Sequence, residues 1–265
     1  MCLDKILDNY HYAQVKQEIV DVKYDYRKDS KYDDPDKDSR KLKYMHKLLW
    51  NKILPNGELF KLNESNYYTY HLIYYSDTKS FRLSSDTMNN TYNKPTWYQI
   101  YEIIKNVPSK NIEHFQYLIH TIGNYILFPV QIDNIQHNNG TINIVRGKHG
   151  QIHDRFDLTL ECIRLFYLNK TNPLDSVFNN YSEYFTLFKN FKCFCDFFLL
   201  QDLVTNDYQN INFFIKFKDF DQKPLPQNKT EYIEFMNSAS EFIIKRNCRI
   251  NEWLFENNEK NRHGI

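Results

Sequence analysis

Residues Thr121–Leu168 read TIGNYILFPVQIDNIQHNNGTINIVRGKHGQIHDRFDLTLECIRLFYL. The stretch holds every glycine of the chain except Gly57 and Gly264, and three of its nine histidines. Tyr125-Ile-Leu-Phe128 is a short buried strand by composition, and Pro129 ends it. A polar loop with Asp133 and His137 follows. Thr141-Ile-Asn-Ile-Val145 alternates, which predicts the second strand of a hairpin closed by Arg146-Gly147. Asp154 is placed to cap a helix carrying Phe156, Leu158, Leu160, Ile163, Leu165 and Phe166. Arg164 follows Glu161 by three residues, so a surface pair is available there.

Upstream, Val20, Val22, Tyr24 and Tyr26 alternate with polar residues and predict a strand, after a helical face of Leu3, Ile6 and Leu7. The Asp-rich segment from Lys28 to Ser39 reads as an exposed loop without the ligand spacing of a calcium loop. Ser39 can cap a helix with Leu42, Met45, Leu48 and Leu49 on one face and His46 on the polar side. Asn56-Gly57 predicts a hairpin turn, and Tyr68–Tyr75 with Ser80–Leu83 a second hairpin ended by Ser84-Ser85-Asp86. Helices are expected over Thr96–Asn106 and Ser109–His120. Downstream, two helices span Leu174–Val204 with a break near Asn190, and FKCFCDFFLLQDLV should be the most buried. Asn212–Phe217 is strand-like, and Thr230 caps a last helix to about Leu254.

The expected fold is therefore α+β: a helix-rich single domain over 1–256, with short antiparallel strands in the first half and a mostly helical second half. Residues 257–265 read as a frayed tail. At 265 residues the chain can bury a sizeable core. A formal net charge of +1 supplies no global pull toward nucleic acid or an acidic partner. Aromatics at 17% read as core packing, with a base-stacking or partner-binding surface as the sharper alternative. Five cysteines, an odd number with no signal peptide ahead of them, indicate a reduced, cytoplasmic chain. No apolar run is long enough to span a membrane.

Four chemical readings compete in the central stretch. Arg146 and His153 match the Arg, six residues, His spacing of one group of helical ribonucleases, with Arg on phosphate and His moving protons. His149, His153 and Asp157 stand four apart and would share a helix face suited to a metal, but Gly150 interrupts that helix. Arg146-Gly147 beside a helix start could hold an anion, although Asp154 would repel a phosphate, and Arg146 and Arg155 could equally pair with Asp154, Asp157 or Asp133. The fourth reading makes the stretch the crossover at the core of the fold. No Walker motif, dinucleotide fingerprint, paired-Cys zinc site, HExxH or Gly-x-Ser-x-Gly elbow is present.

Nine segments, among them Asp21–Arg27, Asp34–Trp50, Leu83–Asp86, Thr121–Pro129, Thr141–Gly147, Asp154–Arg164 and Asp196–Val204, resemble in the same order a family of bacterial proteins. That family carries only a domain-of-unknown-function label, so the resemblance implies a single bacterial domain and no activity. Thr121–Asn124 is also similar to a segment in the His-Asn-His nuclease part of some modification-dependent restriction enzymes, which implies mobile-element or phage-conflict biology. In those enzymes the catalytic histidine lies upstream before a proline. Here His120 directly precedes the motif and His114 is followed by Phe115.

The enzyme expectation is an activity on a phosphate-bearing substrate, a nucleotide or nucleic acid, with no cofactor indicated. Arg146 and Arg155 would contact phosphate, supported by Gly147, Asn143, Arg27 and Ser85. Asp154 or Asp157 would orient groups or hold a metal, and His149 or His153 would move protons. The rival expectation is a non-catalytic protein that recognises a partner through an aromatic-rich surface.

Overall fold

The computed structural model describes residues 21–31, 34–64, 71–76, 79–130 and 141–263. Four strands form one antiparallel sheet in the order β1 (Leu62–Glu64), β2 (Leu72–Tyr75), β3 (Ser80–Thr87) and β4 (Tyr125–Pro129). The expected second hairpin is present, with Tyr75 opposite Ser80. Ser84-Ser85-Asp86 does not end it. β3 runs on through these residues and pairs with β4, placing Ser85 opposite Leu127 and Asp86 opposite Ile126. Every residue of β4 is buried, as expected for an apolar strand covered on both faces.

Ten α-helices occur among the described residues. α1 (Pro35–Asp38) and α2 (Arg40–Trp50) precede the sheet. α3 (Tyr98–Ile104) and α4 (Ser109–Ile119) lie between β3 and β4. α5 (Ile142–Lys148), α6 (Phe156–Tyr167), α7 (Asp175–Asn180), α8 (Ser182–Thr186), α9 (Phe191–Phe197) and α10 (Lys229–His263) make the second half mostly helical. The α+β expectation and its division between the halves both stand. None of the helices is long and apolar enough to cross a membrane.

Several local expectations give way, each for a physical reason. From Asp21 to Tyr26 the chain turns instead of extending, and Val20 and the earlier helical face lie outside the described residues. Asp21 Oδ1 accepts the Lys23 N–H at 2.8 Å and Asp25 Oδ1 accepts that of Arg27 at 3.1 Å, so aspartate side chains replace a strand partner. The acidic segment is not simply an exposed loop. Asp29 Oδ2 accepts from the Ser39 hydroxyl and the Lys41 N–H, both at 2.8 Å, and Pro35 is buried at the start of α1. These carboxylates tie one turn to the next.

His46 is buried, not surface-facing. Ile142–Val145 is helix, not the strand expected beside β4, because the Thr141 hydroxyl caps it by accepting the Ile144 N–H at 3.3 Å. The loop holding Asp133 and His137 lies outside the described residues. Asp154 does not cap α6. Its own φ is +57°, and the cap position falls to Arg155 without a side-chain bond. α9 stops at Phe197, because Leu199 takes φ +55° and the Leu200 N–H closes on the Cys195 carbonyl at 2.9 Å. Asn212–Phe217 forms no strand, and the Phe214 N–H is spent on Asp157 Oδ2 at 3.0 Å. Asn228, not Thr230, caps α10 by accepting the Glu231 N–H at 2.9 Å, and the helix continues beyond Leu254 to His263.

The halves meet at Thr121–Asn124. Asn247 on α10 accepts the Gly123 N–H at 2.7 Å and donates to the Thr121 hydroxyl at 2.9 Å. Buried Arg246 donates to the carbonyls of Gly123, Tyr125 and Phe198, each at 2.9 Å. Burial without a bonded carboxylate pulls this guanidinium down to about 9, so it stays charged at neutral pH. Asn124 Nδ2 donates to the Asn89 and Ile119 carbonyls at 3.1 and 3.0 Å, while its Oδ1 accepts from Asn89.

A Cβ at Gly123 would lie 2.5 Å from the Ile243 carbonyl oxygen. Gly123→Ala is therefore expected to cost about 2 kcal/mol or more, read as a lowered urea midpoint with an unchanged slope.

Candidate functional site

Arg146, near the end of α5, is fully buried, and its guanidinium gathers the end of β3. Nη2 donates to Asp86 Oδ2 at 3.0 Å and to the Thr87 carbonyl, and Nη1 donates to the Met88 carbonyl at 3.2 Å. Asp154 Oδ1 stands 3.7 Å from Nη1. The two carboxylates retain 25% and 22% exposure, so the pair faces solvent at one edge. Gly147 makes this approach possible: a Cβ there would meet Asp154 Oδ1 at 2.9 Å. The anion beside Arg146-Gly147 is thus the protein's own Asp154, reached through consecutive left-handed residues, His153 and Asp154.

A third carboxyl joins from α1. Asp36 is hydrogen-bonded by the Ser85 side chain and lies within the fields of Asp86, Asp34 and Arg146. One face of α2 brings His46 beneath Ser85, with Nε2 2.9 Å from the Ser85 Oγ. The Trp50 indole N–H donates to His46 Nδ1 at 3.0 Å. Asn143, one turn before Arg146, reaches the Ser84 carbonyl at 3.5 Å. Three buried polar atoms of this group have no protein partner: Asp36 Oδ1, Asn143 Oδ1 and Arg146 Nε.

The electrostatics follow from one guanidinium serving several carboxyls. Burial, and then the charge of Asp86, raise Asp36 well above the carboxylate range. Burial, aided by Asp154 and opposed by Arg146, pushes Asp86 up to about 7. Burial also raises Asp154 against the pull of Arg146. One positive charge is shared among three carboxyls in a largely desolvated site, so all three are raised together. His46 goes the other way. Burial, with Arg246 nearby, pushes it down to about 3, and it is neutral.

The remaining sequence candidates do not converge here. Arg155 and Asp157 are a buried internal pair. Arg155 Nη1 donates to the Pro224 carbonyl at 2.6 Å, and Asp157 also receives the Phe214 N–H. Arg27 forks onto Asp25 at 2.9 and 2.7 Å. His149 ends α5 and accepts the Gln151 N–H at 3.3 Å, which leaves His149, His153 and Asp157 on no common helix face. The His153 ring packs edge-on to Trp97 at 5.5 Å, with its carbonyl bonded by the Tyr92 hydroxyl. Thr121 and Gly123 are spent on buried hydrogen bonds to Asn247 of α10, and Asn124 on bonds to Asn89 and Ile119. Among the described residues, no group of three or more His, Cys, Asp and Glu side chains could hold a metal ion.

Asp36 and His46 were not marked as site residues by the sequence. His46 had a usable signal, since it follows buried Leu42 by four residues and precedes buried Leu49 by three. Asp36 had none beyond Pro35 at a helix start, because its neighbours Asp86 and Arg146 are remote in the chain.

The model of a family of unknown function, DUF6994, matches residues 20–250, and the chain belongs to that family. No curated protein and no solved structure matches it.

The raised Asp86 midpoint has a signed consequence. An unfolded carboxyl loses its proton near 3.8, whereas folded Asp86 holds it to about 7. Across that window unfolding releases a proton, so this group makes stability fall as pH rises and contributes no further change above it. Asp86→Asn is expected to gain stability relative to the wild type between about pH 4 and about pH 8, read from paired urea melts.

Proposed function

We propose that this member of DUF6994 is an enzyme that moves protons through the carboxyl pair Asp36 and Asp86. Its substrate would be polar and bound at that pair with Asn143 beside it. The observation that carries the reading is that Asp36 Oδ1, Asn143 Oδ1 and Arg146 Nε are buried polar atoms without partners, beside carboxyls that burial raises. Asp86, with a midpoint about 7, suits a group that both gives and takes a proton. Asp36, whose carboxyl burial also raises, suits the acid role. Arg146 steadies whichever carboxylate is ionised.

A phosphate-bearing substrate, a nucleotide or nucleic acid, is the class this reading tests first. Its support is Arg146 with an uncommitted Nε. Against it stand Asp86 and Asp154, which already occupy the Arg146 guanidinium that a phosphate would need. Neutral polar substrates make no such demand. A second reading, a non-catalytic aromatic docking surface, rests on Tyr98 and Tyr101, one turn apart on α3 and 71% and 37% exposed.

Thermal-shift panels separate these readings. The compounds are nucleotides, RNA and DNA oligonucleotides, neutral oligosaccharides and small amides, each with and without magnesium. At a hundredfold excess over Kd a true ligand adds about 2.7 kcal/mol. The expected outcome is stabilisation of the wild type by one class that is absent in Asp36→Asn and Asp86→Asn. A ligand that stabilises all three equally, or no ligand at all, overturns the assignment.

A further inference from the structure

We infer that His46 and Trp50 are positioning residues that aim the Ser85 hydroxyl at Asp36. The inference rests on the proposed site and concerns which way its hydrogen bonds run.

The direction follows from donor chemistry. An indole N–H can only donate, so His46 Nδ1, 3.0 Å from Trp50 Nε1, must present its lone pair. The imidazole is buried and neutral, and its single proton therefore sits on Nε2. Nε2 lies 2.9 Å from the Ser85 Oγ, so the imidazole donates and the hydroxyl oxygen accepts. A hydroxyl has one proton to give. With the imidazole acting as donor, that proton turns toward Asp36, the carboxyl hydrogen-bonded to the Ser85 side chain.

Two consequences follow. His46 cannot serve as a base toward Ser85, because its only lone pair is committed to Trp50. The constellation of a serine beside a histidine is thus not a nucleophile and its base. Instead, the chain Trp50–His46–Ser85 turns a donor toward the Asp36 carboxyl, whose Oδ1 has no partner among the described residues. The groups facing Asp36 are Ser85 and Asp86 from β3, Asp34 beside α1, Arg146 from α5 and the Tyr125 phenol from β4. Among them Ser85 is the neutral group whose orientation is imposed from behind.

The test reads tautomer and carboxyl titration by NMR on the full chain. Wild-type His46 should carry its proton on Nε2 and show no titration above about pH 4, consistent with a midpoint about 3. Trp50→Phe frees Nδ1, lets the imidazole compete for the serine proton, and should raise the Asp36 midpoint by about one pH unit. Ser85→Ala should shift it the same way. In His46→Gln the amide oxygen can accept from Trp50 and the amide N–H can donate to Ser85, so the midpoint should stay at the wild-type value. A purely structural role for His46 would not predict that rescue. The wild-type tautomer needs no variant, so a poorly folding Trp50→Phe does not remove the test. A proton on Nδ1 overturns the inference, as does an Asp36 midpoint unmoved in Ser85→Ala. If these signatures hold while every ligand panel is blank, the positioning device stands and the enzyme reading falls. If ligands bind but the tautomer is reversed, the enzyme reading stands and the device falls.

Discussion

A guanidinium taken out of water must find oxygen for its N–H groups, and three fully or almost fully buried arginines impose that requirement on this fold. Each is met differently. Arg155 is closed by one carboxylate and one carbonyl. Arg246 is met by main-chain carbonyls, drawing α10, the end of α9 and the start of β4 to one point. Arg146 takes two carbonyls at the end of β3 and two carboxylates from different parts of the chain. The first two are saturated and act as scaffold. The third keeps an unpartnered Nε and an open edge, and that difference separates a structural arginine from one at a site.

The position of the site follows from the sheet. β3 is an inner strand that pairs with β2 over Ser80–Leu83 and with β4 over Leu83–Thr87, so the two partners overlap only at Leu83. Alternation along it sends Ser84 and Asp86 to one face and Ser85 to the other. α5 approaches with Asn143 and Arg146, while α2 approaches with His46. Short α1 brings Asp36 to the same strand. Three separate segments, α1, α2 and α5, thus bring their side chains to three consecutive residues of β3. The carboxyls there share one positive charge in a desolvated place, which is the condition that spreads acid strengths apart.

Several features were legible because they depend on neighbours in the chain. The Ser39 cap, the turn at Gly57 with φ +91°, the β2–β3 hairpin and the break at Asn190 all rest on local chemistry. Arg146, Gly147 and Asp154 were read together from the sequence, either as an anion site or as an internal pairing, and the structure holds Asp154 3.7 Å from Arg146. Thr141–Val145 misled because five residues are too few to separate the two periods, and the Thr141 side chain caps a helix there. The alternation of Val22, Tyr24 and Tyr26 misled for another reason: the side chains of Asp21 and Asp25 capture the backbone there and turn it.

Sequence alone determined the class of the fold, the placement of most helices and the stretch in which a buried charge would have to be resolved. These follow from periodicity, capping and composition, which act over a few residues. Tertiary structure decided which charges meet. Arg155 spends itself on a neighbour two residues away, whereas Arg146 reaches Asp86 sixty residues back. Asp36 and His46 acquire their character from Ser85, Asp86 and Trp50 across the sheet. Burial is a property of the assembled core, and burial turns ordinary aspartates into proton-holding ones, so no spacing along the chain could have announced them.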